Sequence, residues 1–164
     1  MLIHPVCVLL LGLLLGGFSP AFAQQKQQGG VIYVPNEDPA MAAAKTKARA
    51  TLAEFWTSFE KPGPGEDRFS LKVGFRTQGD NSEHIWVNEI QRLEGGRYAG
   101  RLINVPRQIP GMSAGSHVEF GDDQISDWMF MRNNKIVGNE TLRPLLTRMP
   151  PADAERYRAM LEKP

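Results

Sequence analysis

Two periodicities divide the chain. In "EDPAMAAAKTKARATLAEFWTSFE", Met41, Ala44, Ala48, Leu52, Phe55 and Phe59 recur at intervals of three or four. That spacing puts them on one face of an α-helix. Asp38 is a good N-cap and Pro39 a good first helical residue. Trp56 widens the apolar stripe, while Lys45, Lys47 and Arg49 project mostly elsewhere. The prolines and glycines of "KPGPGED" stop the helix at Lys61.

Beyond that point the period becomes two. Phe69, Leu71, Val73 and Phe75 alternate with Ser70, Lys72 and Gly74, the pattern of a strand with one buried face. "EHIWVNEI" puts Ile85 and Val87 on one face and His84, Trp86 and Ile90 on the other. "RYAGRLINV", "SHVEF", "ISDWMFM" and "IVG" read as further short strands, separated by "LEGG", a loop from Arg107 to Gly115, "GDD" and "RNNK". In "ISDWMFM", Ile125, Asp127 and Met129 fall on one side, and Ser126, Trp128 and Phe130 on the other. Thr141 to Leu146 predicts a short helix and Pro151 to Lys163 a terminal one. No strand–helix–strand alternation occurs, which argues against a parallel doubly wound sheet. The expected fold is therefore α+β: an N-terminal helix packed on a curved, mainly antiparallel sheet or partial barrel, with a short C-terminal helix.

The first 23 residues differ from the rest. Val6 to Leu15 is almost unbroken apolar sequence, Pro20 follows, and Ala21-Phe22-Ala23 supplies small residues for a signal peptidase. Residues 1–23 therefore read as a secretory signal, too short for a comfortable membrane span. Residues 24–37 read as a flexible leader in which Val31 to Val34 could add an edge strand, and residues 38–164 as one α+β domain. The expected location is the periplasm or the medium, with no membrane anchor once the signal is cleaved. The chain carries a formal charge of +1, which offers no general attraction to nucleic acid or anionic lipid. Its one cysteine, Cys7, lies in the signal. The remainder thus has no disulfide, no thiolate nucleophile and no Cys-based metal site.

Chemistry-bearing residues are sparse. Asp127 sits among apolar neighbours, where a carboxylate either caps backbone N–H groups, pairs with a basic side chain, or serves a site. Trp128 beside Phe130 reads as a core anchor. His84 and His117 are the histidines outside the signal, and His84 and Glu89 point to opposite faces of a strand, so no local metal pair forms. "GMSAG", Gly111 to Gly115, matches G-x-S-x-G in letters, but Pro110 precedes it and a strand-like segment follows, the wrong setting for a nucleophile elbow at Ser113. No phosphate loop, dinucleotide fingerprint or H-E-x-x-H occurs. Neither a metal nor another cofactor is expected. Asn104, Pro106 and Pro110–Gly111 suggest a shaped loop, and in "VGNET" Gly138 and Asn139 have the character of turn residues.

From about Phe69 to Leu146 the pieces "FSLKVGF", "EHIWVNEI", "YAGRLINVP", "AGSHVEF", "ISDWMF" and "KIVGNETLRPLL", in that order, resemble the bacterial family known as domain of unknown function 2314, the YegJ-like proteins. The resemblance implies a small α+β domain and carries over no catalytic residue. His84, Trp86, Asn104, Pro106, Asp127, Trp128, Gly138 and Asn139 match its characteristic positions, which fits a shared frame and a shared pocket equally. Relatives associated with toxin–immunity or ankyrin systems imply a binding role.

These readings converge on an exported, non-enzymatic domain that binds an envelope protein or a small ligand, through Trp86, Asn104, Asp127, Trp128 and Asn139. Two rivals stand beside it. One is a hydrolase-like enzyme using Asp127 and His84, which requires the two to meet. The other is a purely structural accessory domain, which requires both Trp86 and Trp128 to be fully buried and no cleft to open.

Overall fold

The computed structural model describes residues 38–78 and 81–163. The expected signal, leader and Val31–Val34 strand lie outside the described residues. The Asp38 carboxylate accepts from the Met41 N–H at 2.8 Å, capping helix α1, Pro39–Ala50, which Pro39 opens. The expected single helix is two. Thr51 leaves helical geometry (φ −104°, ψ 7°), and α2 runs Leu52–Glu60. At the break the Thr51 hydroxyl donates back to the carbonyls of Lys47 (3.1 Å) and Ala48 (3.2 Å), the local competition that disfavours threonine inside helices. The indole N–H of Trp128 donates to the same Ala48 carbonyl at 2.8 Å. The break is thus fastened to the sheet.

Six strands form the sheet: β1 Glu66–Arg76, β2 Ser82–Arg92, β3 Arg97–Leu102, β4 His117–Gly121, β5 Ile125–Arg132 and β6 Lys135–Gly138. Their order is β4-β3-β2-β1-β5-β6, and every pairing is antiparallel. This corrects the expectation of a curved sheet or partial barrel. The ladder is open, because β4 and β6 stand at opposite edges and share no hydrogen bonds. Tight turns give a local meander over β1 to β4, but β5 returns to the far side of β1, so the first strand becomes central and no edge is left for it to close. The outer edge of β6 is covered instead: Ile136 bridges Leu161, and the Glu162 N–H donates to the Ile136 carbonyl at 2.8 Å.

On one face Leu71, Val73, Ile85, Val87, Leu102, Phe120, Trp128 and Phe130 pack with Ala48 and Phe55 into the main core. Phe55 lies 5.8 Å from Phe69 and 6.0 Å from Trp128, centroid to centroid, and Trp56 stacks on Tyr98 at 4.9 Å. Two bulges correct the strict alternation expected from sequence. Glu89 takes φ 49°, the β2–β3 register slips between Asn88 and Gln91, and Ile90 turns into the core with Val87. The β1–β5 register slips between Lys72 and Val73, so Ile125 joins the core of Trp128 rather than the side of Asp127. The strand expected through Val105 stops at Leu102, although the Ile103 N–H still donates to the Trp86 carbonyl at 2.8 Å.

Beyond β6 the expected short helix is a 3₁₀ segment, Glu140–Arg148, followed by α3, Pro151–Met160. They bury Leu146, Ala154 and Leu161 with Ile136, against Met129 and Met131, in a second small core.

Candidate functional site

Lys72, Trp86 and His84 alternate with core residues of β1 and β2 and so stand on the face opposite Leu71 and Val87, with Asp127 directly across from Lys72. Two polar clusters occupy this face.

The first belongs to Asp127, which is fully buried. Its Oδ1 accepts from the N–H groups of Trp128 (2.8 Å) and Glu140 (3.2 Å); its Oδ2 accepts from the N–H (2.8 Å) and hydroxyl (2.6 Å) of Thr141. Glu140 and Thr141 open the 3₁₀ segment, so Asp127 caps it from a neighbouring strand. The Lys72 ammonium donates to Thr141 Oγ1 at 3.0 Å, and the hydroxyl passes its own hydrogen to the carboxylate. Burial pushes the Asp127 carboxyl above its usual range, against the pull of the Thr141 and Trp128 donors and of the Lys72 charge. Burial likewise holds Lys72 below its usual range; Asp127 opposes that, and Lys45 adds to it. Lys72 Nζ lies 5.4 Å from the centroid of Trp86. Next to this cluster, Gly138 takes φ +76°, and a Cβ there would fall 2.5 Å from the Trp128 carbonyl oxygen. Asn139 is buried in left-handed geometry, its N–H donating to the same oxygen at 2.8 Å.

The second cluster is a cleft of about 430 Å³ lined by Lys45, Arg49, Arg76, His84, Asp123 and Ser126, with Gly74, Ser82, Gln124 and Ile125 completing its wall. Helix α1 presents Lys45 and Arg49 one turn apart. His84 Nε2 lies 3.1 Å from Lys45 Nζ, and Nδ1 lies 2.9 Å from Ser126 Oγ, which donates to the Lys72 carbonyl at 3.0 Å. A charged Lys45 has only hydrogens to offer, so Nε2 accepts and Nδ1 carries the ring hydrogen. The imidazole is therefore neutral. Burial first, then the charges of Lys45 and Lys72, bring its pKa from 6.5 to about 4. Gly74 makes room for the ring, since a Cβ there would sit 3.0 Å from His84 Cε1. Arg49 Nη1 donates to the carbonyls of Asp123 (3.0 Å) and Ile125 (3.4 Å).

The residues expected to form one site are distributed. Asp127, Trp128 and Asn139 belong to the frame. Trp86 is half-buried, and Asn104 is exposed on the loop that leaves β3. His84 and Asp127 share no hydrogen bond, because each is engaged by other partners. His117 is exposed on edge strand β4, and Ser113 lies on an exposed loop with its N–H bonded to Ser116 Oγ at 2.9 Å. Among the described residues no group of three or more His, Cys, Asp or Glu could hold a metal, and no helix is long and apolar enough to cross a membrane. Sequence reading missed Lys45, Arg49, Arg76 and Ser126. The available signals were the i, i+4 spacing of Lys45 and Arg49 and the glycine interrupting β1 at Gly74.

The model of the family described as "uncharacterized protein conserved in bacteria", DUF2314, matches residues 38–161, from the α1 cap to the tail that closes β6. The chain belongs to this family. The match includes the helices that the resemblance over Phe69 to Leu146 left out. The chain is 30% identical over 122 residues to the uncharacterized protein YegJ of Escherichia coli K12, covering 74% of this chain and 77% of that protein. It is 29% identical over 126 residues to a putative ankyrin repeat protein of Neisseria meningitidis serogroup B, covering 73% of this chain and 49% of that protein, about half its length. No solved structure matches.

Proposed function

We propose that this is an exported, non-enzymatic binding domain of the bacterial envelope, and that its ligand engages the cleft between α1 and the ends of β1 and β2. One observation carries the reading: the cleft gathers Lys45, Arg49 and Arg76, none with a carboxylate partner among the described residues, around a space of about 430 Å³, within the range of small-ligand sites. A hydrolase built on Asp127 and His84 needs a shared proton path. Here the carboxylate is filled by four donors and the imidazole faces Lys45 and Ser126. A purely structural domain needs both tryptophans buried and no cleft, whereas Trp86 is half-buried and the cleft is open. Export rests on the signal-like residues 1–23.

The test is crosslinked capture from envelope extract, comparing the native protein with an Arg49→Glu/Arg76→Glu variant of verified fold. A component held by the first and lost by the second supports the cleft. Equal capture by both rejects it. The exposed apolar residues of the loop after β3 (Ile103, Val105 and Met112) support a second reading, in which that loop meets a protein partner. An Asn104→Ala variant that alone loses the partner would favour it.

A further inference from the structure

We infer that the cleft receives an oxyanion, a carboxylate or a phosphate group, and that its arrival draws a proton from solvent onto His84. This deepens the reading of the cleft as the binding site and rests on it. The lining carries the cations Lys45, Arg49 and Arg76 against the single carboxylate of Asp123. Elsewhere arginine and carboxylate find each other: Arg132 meets Glu66, Arg92 meets Glu60 and Arg101 meets Glu89. Among the described residues none of the cleft's cations has such a partner. Lys45 instead points its ammonium at a neutral ring nitrogen, and Arg49 donates to main-chain carbonyls. Burial holds Lys45 below its usual range. Lys45 is thus a cation partly removed from water, flanked by the exposed Arg49 and Arg76, with no carboxylate paired to any of them among the described residues, the condition an entering anion relieves.

The donors suit an oxygen ligand. Lys45 has two hydrogens not directed at His84, and the remaining guanidinium nitrogens of Arg49 and Arg76 present forked donors. The Ser82 hydroxyl adds a neutral donor at the rim.

The charged groups around His84 give the proton coupling its sign. Lys45 and Arg49 face it from α1, Lys72 and Arg76 from β1, Asp123 from the turn before β5, and Asp127 from beyond Lys72. The balance is positive and opposes imidazolium. An anion between Lys45 and Arg76 offsets that positive excess beside the ring. The Lys45–Nε2 bond then gives way, Nε2 takes up a proton, and both nitrogens donate, one to the anion and one to Ser126.

The test is NMR of the labelled protein titrated with sodium sulfate, whose charge is constant across the range, and separately with sodium acetate. Sodium chloride at matched ionic strength is the control. Sulfate or acetate should shift cleft resonances saturably, with a Kd of about 1 mM or tighter, and Arg49→Gln and Arg76→Gln should each weaken it about fivefold or more. Stronger binding of sulfate points to a phosphate ligand and stronger binding of acetate to a carboxylate. The bound anion should raise the His84 imidazole midpoint by about one pH unit or more. Shifts no larger than those of chloride, or equal binding by the arginine variants, overturn the oxyanion site; an unmoved midpoint overturns the coupling. If no oxyanion binds while Arg49→Glu/Arg76→Glu still loses its envelope component, the binding cleft stands and this inference alone fails.

Discussion

Asp127 and the cleft around His84 share one face of the sheet and are opposites in electrostatic completion. Every lone pair that matters on Asp127 is met by a donor fixed in the frame. The Lys45–His84 cleft has donors in excess and few acceptors. A buried polar group that is fully satisfied makes a fold specific. One left short of partners on an accessible wall is available to something else. Burial and an odd-looking residue therefore identify a frame as readily as a site; the deciding observation is whether the partners are already present.

The sharpest way to break this contrast is Asp127→Ala. It strips the cap from the 3₁₀ segment, leaves the Glu140 and Thr141 N–H groups and the Thr141 hydroxyl without their acceptor, and takes the countercharge from Lys72. The expected loss is about 3–5 kcal/mol in urea unfolding; a loss below about 1 kcal/mol would show that the cluster is not the frame. Gly74→Ala comes next. Its Cβ would crowd His84 Cε1 at 3.0 Å, so the ring must move. A cost of about 1–2 kcal/mol should come with displaced His84 resonances, and an unmoved ring would refute the fit.

The third is a pH profile. The pKa of His84 falls from 6.5 to about 4 on folding, so between those values the unfolded chain binds more protons than the folded one. His84 thus leaves stability intact above pH 6.5 and reduces it as pH falls toward about 4. The expected loss across that window is about 1–2 kcal/mol after allowing for solvent screening at the partly exposed ring. Asp127, raised above its usual range, titrates with the opposite sign, so the contribution of His84 is the difference between native and His84→Gln curves. Parallel curves would remove it. The smallest effect belongs to Arg76→Gln. With no side-chain partner among the described residues, it should change stability by less than about 0.5 kcal/mol while weakening cleft binding. A larger destabilisation would move Arg76 from cleft to frame.

Local patterning made the elements legible. The Asp38 cap, the Phe55 stripe, the alternation of Phe69 to Phe75 and the run around Trp128 all lie where the residues predict them. The strand order was not, because it depends on β5 crossing back to β1, an interaction between residues far apart in sequence. Period-two counting failed at Ile90 and Ile125, since a bulge adds a residue without an apolar signature. Asp127 was legible as a capping carboxylate, although not which helix it caps. The cleft was illegible because Lys45 and Arg49 look like the solvated side of an amphipathic helix until His84 and Arg76 are brought beneath them.

The position of β1 has a kinetic consequence. Its hairpin with β2, and the meander through β4, need only short loops to close. Its other neighbour, β5, arrives from about fifty residues away, with Val73 opposite Ile125, at a higher entropic cost. The Ala48 carbonyl cannot receive the Trp128 indole until that closure has happened, so the break between α1 and α2 is set late. The helix pair thus acquires its angle from a strand that follows it by about eighty residues, between Ala48 and Trp128, and translation must deliver that strand before the cleft has walls.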